Sequence, residues 1–211
     1  MNILLIDGHP DSERYVTHLL DLYETALPPE CKVTRIALRD CEYDLNLKHG
    51  YAKRIEWEPD IHRIAEALDK CDHVTFAFPM WWGAEPAELK GLLDRMFLPG
   101  FTFNYHDDDT WWDKHMVGRS ADVIITMDTP PFFHRLGHGN AIIKRWERQI
   151  LGFSGFKPVR SLPLGQVKFG GAEKHAAKWT AKVQNMAKSV KQAAPEKKQL
   201  RLKQFLNPKQ T

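Results

Sequence analysis

The sequence predicts an α/β domain built on a parallel sheet with helices on both faces. Three observations carry that prediction. Short apolar runs alternate with amphipathic helical stretches along the chain. Three of the runs are almost continuously apolar, as strands covered on both faces must be. The 211 residues suffice for one large domain with its own core.

The elements follow in order. Asn2–Asp7 is an apolar run ending at Gly8 and reads as a buried strand. Ser12–Leu27 places Val16, Leu19, Leu20, Tyr23 and Leu27 at helical spacing, and Pro28-Pro29 stops it. Lys32–Leu38 alternates as a second strand. A polar stretch leads to a helix over Asp60–Lys70, with Ile61, Ile64, Ala65 and Leu68 on one side. His73–Pro79 is a third strand. Pro86–Phe97 is a helix turning Leu89, Leu92, Leu93 and Met96 inward. Ala121–Thr126 is a fourth strand, Asn140–Leu151 a helix and Pro158–Pro163 a weak fifth strand. Ala172–Gln192 is a long, lysine-rich helix. Residues 1–194 are therefore expected to form the domain, and Pro195–Thr211 a basic C-terminal tail.

Composition narrows the classes. Hydrophobic residues at 43% and charged residues at 27% are ordinary for a soluble globular protein. Cys31, Cys41 and Cys71 have no C-x-x-C spacing, which argues against a disulfide framework and a zinc site and for reduced thiols in the cytoplasm. The opening residues have neither a basic n-region nor the length of a membrane span. The net charge of +3 hides an asymmetry. From Lys157 onward 13 Lys/Arg face 2 Asp/Glu, a balance of +11, and the first 156 residues carry −8. Few aromatics interleave those lysines, so a solvated helix face is expected rather than a nucleic-acid surface.

In open parallel sheets ligands bind beyond the carboxyl ends of the strands. The first such loop, Gly8-His9-Pro10-Asp11-Ser12-Glu13-Arg14-Tyr15, enters a helix. It reads equally as a phosphate cradle, with Ser12 and Arg14 as donors, or as a turn capped by Ser12. It is neither G-x-G-x-x-G nor a P-loop. After the third strand, Pro79-Met80-Trp81-Trp82-Gly83 offers flat apolar walls for a planar ligand such as a flavin ring. After the fourth, Thr126, Asp128 and Thr129 offer polar side chains on a backbone stiffened by Pro130-Pro131. His134 and His138 follow. They lack the acidic partner of H-E-x-x-H, so they read as proton donors or as surface histidines, and no metal site is expected.

The segment Phe78-Pro79-Met80-Trp81-Trp82-Gly83-x-x-Pro86-Ala87-x-Leu89-Lys90-Gly91-x-x-Asp94-Arg95-Met96-Phe97 resembles the signature of the NAD(P)H:quinone oxidoreductase family. Gly8-His9-Pro10 and Leu98-Pro99-Gly100-Phe101-Thr102-Phe103 add to the likeness, which runs over about residues 1–165. The resemblance implies a flavodoxin-like three-layer sandwich with a five-stranded sheet in order 2-1-3-4-5, and a homodimer. It implies a non-covalent flavin, leaning to FAD with FMN as the alternative, and NADPH or NADH as co-substrate. His9, Ser12, Arg14 and Tyr15 would hold the flavin phosphate. Pro79, Met80, Trp81 and Trp82 would line the ring, and the loop of Thr126, Asp128 and Thr129 would close its other end. His134 or His138 would serve catalysis. The implied activity is ping-pong transfer of hydride to a small aromatic or quinone-like acceptor. The competing expectation is a non-catalytic electron carrier or sensor subunit that docks on a partner protein.

Overall fold

Along β1 (Asn2–Asp7) Leu4 and Ile6 belong to one core and Ile3 and Leu5 to the other, the two-residue period of a strand covered on both faces. The computed structural model describes residues 1–168, 170–190 and 198–207. Beside β1 lie β2 (Lys32–Ala37) and β3 (His73–Pro79), all in parallel register. A short antiparallel hairpin, β4 (Phe103–Tyr105) and β5 (Trp112–Lys114), stands apart from the sheet. The sheet continues with β6 (Ser120–Met127) and β7 (Val159–Gly165), giving the order β2-β1-β3-β6-β7. With the hairpin left out of the count this is the expected 2-1-3-4-5 arrangement.

Helices cover both faces. On one, α1 (Tyr15–Thr25) and α7 (Gly171–Lys188) pack Val16, Leu19, Leu20, Trp179 and Val183 against the strands. On the other lie α2 (Pro59–Lys70), α3 (Ala87–Met96) and a helical run over 141–154. That run begins as α5 (Ala141–Lys144), passes through a π-helical stretch over Arg145–Leu151 and ends as α6 (Gly152–Ser154). At the π stretch a Cβ on Gly152 would lie 2.4 Å from the Glu147 carbonyl oxygen, so a residue without one is required there.

The structure moves several expected boundaries. The first helix starts at Tyr15, not Ser12. Asp11 accepts the Glu13 N–H at 3.0 Å and the Arg14 Nε–H at 2.6 Å, which holds residues 11–14 in a non-helical bend. Ser12 is therefore not the N-cap. A helix absent from the expectation, α4 (Pro131–Gly137), begins at the second of two prolines, where a missing N–H costs nothing. Of the segment read as a tail, residues 198–207 lie on the domain. In α8 (Leu202–Leu206) Leu202 and Phe205 are buried, and the Phe205 ring centroid is 4.7 Å from that of Trp57. Asp69 accepts the Arg201 and Leu202 N–H groups at 2.9 and 3.2 Å. Residues 191–197 and 208–211 lie outside the described residues, as do the last two residues of the helix expected to reach Gln192. Among the described residues no helix is long and apolar enough to cross a membrane.

Candidate functional site

The chain leaves β1 toward β2 on one side and returns as β3 on the other. The loops beyond β1 and β3 therefore diverge, and a crevice opens at their carboxyl ends. A cleft of about 350 Å³ lies there, bordered by His9, Arg14, Tyr15, Pro79, Met80, Trp81, Thr126 and Asp128 among others. The geometry thus brings together eight of the residues singled out above, from three separate loops.

The β1 loop is held from below. Gly8 donates its N–H to the Ala77 carbonyl at 2.8 Å, and a Cβ there would come within 2.9 Å of Leu89 and 3.2 Å of Phe78. The buried Asp7 accepts the His9 N–H at 3.1 Å and an Arg39 N–H at 2.8 Å, with Arg35 at 3.9 Å. His9 Nδ1 accepts the Asp11 N–H at 2.9 Å, so the proton of the neutral ring sits on Nε2, a donor. Burial pushes the His9 pKa below its ordinary value, against the pull of Asp7, which favours that neutral form. At the start of α1 no side chain caps the helix and no acid occupies its first turn. The Tyr15 and Val16 N–H groups find no acceptor among the described residues, while those of Thr17 and His18 share the Arg14 carbonyl. Free N–H groups and the helix dipole favour an anion at this end.

The opposite wall is apolar and stiff. Met80 donates to the Thr126 carbonyl at 2.7 Å, and Trp81 and Ala84 exchange backbone bonds at 2.8 and 3.0 Å around a tight turn. Trp82 and Gly83, the central residues, have φ of 51° and 79°, the pattern of a type I′ turn. The turn is clamped by buried Glu85, which takes two bonds from the Arg145 guanidinium, one at 2.7 Å, and one from the Trp146 indole at 3.1 Å. The Trp81 ring meets His9 edge-on at 5.5 Å. Asp128 accepts the Lys168 N–H at 2.8 Å, which closes the fourth side.

The remaining expected residues lie elsewhere. Trp82 is fully exposed and does not border the cleft. Ser12 and Thr129 do not border it. Neither do the two histidines. His134 is 2% exposed inside α4, with Nδ1 unpaired among the described residues, and His138 packs edge-on against Phe133. The backbone donors of Met80 and Trp81, expected to reach a ligand, are consumed internally; those of Trp82 and Gly83 are free of acceptors among the described residues. Sequence reasoning missed Val16, Met127, Val167 and Lys168 as lining residues. The last two follow β7, which runs to Gly165, two residues beyond its expected end. Applying the rule about loops after strands to the correct boundary would have found them.

Residues 1–190 match the flavodoxin-like fold family Flavodoxin_2. An FMN-dependent NADH:quinone oxidoreductase of Nitratidesulfovibrio vulgaris is 30% identical over 118 residues, covering 56% of this chain and 56% of that protein. The curated relatives are matched over about half their length or less. Among solved structures, Smu.1420 from Streptococcus mutans is 26% identical with a TM-score of 0.78, covering 90% of this chain and 100% of that one. An NAD(P)H:quinone oxidoreductase from Methanothermobacter marburgensis has a TM-score of 0.73 at 18% identity, covering 89% and 96% of the two chains, a likeness of fold.

Proposed function

The chain belongs to the flavodoxin-like fold family Flavodoxin_2, and from that premise we propose that it is a flavin-dependent NAD(P)H oxidoreductase acting on a quinone-like acceptor. One observation carries this reading. The cleft at the β1/β3 crevice joins an anion-favouring end, with His9 Nε2, Arg14 and the free N–H groups of α1, to a flat apolar wall of Pro79, Met80 and Trp81. A flavin nucleotide needs both, and the residues present fit it. The mononucleotide is favoured over FAD, because the Nitratidesulfovibrio relative is named FMN-dependent.

A bound flavin supplies the redox chemistry. The chain's own residues bind and orient. His9 Nε2–H and the α1 N–H groups hold the phosphate, with Arg14 adding positive charge that Asp11 partly offsets. Trp81 walls the ring. The Glu85–Arg145–Trp146 clamp keeps that wall from moving when nicotinamide and acceptor exchange. Successive use of one exposed ring face by nicotinamide and acceptor gives the ping-pong order proposed here. The exposed Trp82, Phe132 and Leu136 support a homodimer in which a second copy covers this end.

The test is to add FMN or FAD to the purified chain, remove excess, and add NADPH without oxygen. The expected outcome is a tightly held FMN that bleaches. Trp81→Ala should weaken FMN by roughly tenfold, about 1.4 kcal/mol, and Trp82→Ala should leave the monomer's affinity intact. A flavin that stays oxidised would favour the carrier or sensor reading; no bound flavin would leave only the fold.

A further inference from the structure

We propose that a second cleft, at the opposite end of the sheet, binds a small molecule through an oxyanion group, a phosphate or a carboxylate. It has a volume of about 440 Å³ and is bordered by Arg54, Asn104, His115, Arg201, Gln204 and Phe205 among others. Its position is fixed by two neighbours. His115 precedes the first residue of β6 by five positions, and the Arg201 N–H is bound to Asp69 at the end of α2, just before β3 begins. The flavin cleft lies beyond the other ends of those same strands, so the two do not share a wall.

Three cationic or donor side chains from distant parts of the sequence converge here, and among the described residues none of them is ion-paired with the one bordering carboxylate, Asp113. Eight of the chain's twelve arginines have an ion-paired Asp or Glu. Among the described residues Arg54 and Arg201 have none, and neither do the exposed Arg135 and Arg148. The contacts of Arg54 and Arg201 orient them instead. Arg54 donates to the Phe205 carbonyl at 2.8 Å and its guanidinium stands 4.1 Å above the Phe205 ring. Arg201 donates to the Gln204 amide oxygen at 3.1 Å and to that of Gln199. Each guanidinium carries five N–H donors in a planar fork, so both keep donors to spare. The Arg201 Nε is buried without a partner among the described residues, and so is Nδ1 of His115, a residue only 6% exposed. Leaving the Arg201 Nε–H unanswered is costly, and an oxyanion in the cleft would answer it, as it would the His115 ring in the tautomer that carries its proton on Nδ1. The single bordering carboxylate, Asp113, is exposed and engaged with His106 at 3.3 Å. Phe205 and Pro99 give the ligand's remaining atoms an apolar floor.

The experiment is calorimetric titration of the flavin-loaded, full-length chain with inorganic phosphate and, separately, acetate, with the imidazole signals of His115 followed by NMR. Saturable one-to-one binding that moves those signals is expected. Preference for phosphate would assign a phosphorylated ligand, and preference for acetate a carboxylic acid. Arg54→Gln and Arg201→Gln should each weaken binding by roughly tenfold with flavin stoichiometry unchanged. Asp113→Asn leaves every donor in place and should tighten binding about threefold, so it carries the test if an arginine variant fails to fold. Absence of saturable binding by both probes overturns the proposal. So does wild-type affinity in both arginine variants, or unchanged or weaker binding in Asp113→Asn.

Discussion

Trp81 and Trp82 are adjacent, yet only the first borders the cleft beyond β1 and β3. The two positive φ values place Trp82 at the tip of the turn, fully exposed, and a bulky residue in that conformation is an outlier, held here by the backbone bonds between Trp81 and Ala84. Composition made the pair stand out as a ligand wall. It carried no information on which ring faces inward, because that depends on a turn type usually marked by Asn-Gly. Gly8 was legible as the end of a strand and the start of the loop motif Gly8-His9-Pro10; its close approach to Leu89 and Phe78 is a tertiary fact. Gly8→Ala should therefore destabilise the chain by about 1–3 kcal/mol through overpacking. Urea denaturation of the flavin-free protein would measure it, and flavin affinity should fall with it as the His9 loop shifts.

The long amphipathic helices and apolar strands were readable because their periods repeat over many residues, as at Ile61, Ile64, Ala65 and Leu68. The β4–β5 hairpin was not, because three-residue strands show no period. Its turn is tied by His106, whose Nδ1 lies 3.0 Å from Asp109 and Nε2 3.3 Å from Asp113. Hydrogen bonds to Asp109 and then Asp113 raise the His106 pKa above its ordinary 6.5. A raised value means the folded hairpin favours the protonated ring. Its contribution is fully present below about 6.5 and is lost as pH rises through the folded value. NMR titration of His106 should give a midpoint above 6.5 that drops toward 6.5 in Asp109→Asn; an unmoved midpoint would refute the bridge.

At the scale of the whole molecule, the layered α/β architecture was legible from the residues, whereas the strand order came only with the resemblance. The docking of residues 198–207 was not anticipated, because a helix of five residues is too short to show a period. A chain ending before Lys198 loses two buried apolar side chains and the two backbone N–H groups that Arg201 and Leu202 donate to Asp69. It should be less stable by roughly 3–5 kcal/mol, seen as a lower urea midpoint; an unmoved midpoint would return the segment to the status of a free tail. The same feature bears on synthesis. Trp57, whose ring packs at a tilt against Phe205, leaves the ribosome long before residue 205 does. Throughout that interval the growing polypeptide presents an unfinished apolar face, the state that chaperones recognise and that self-associates when they are scarce.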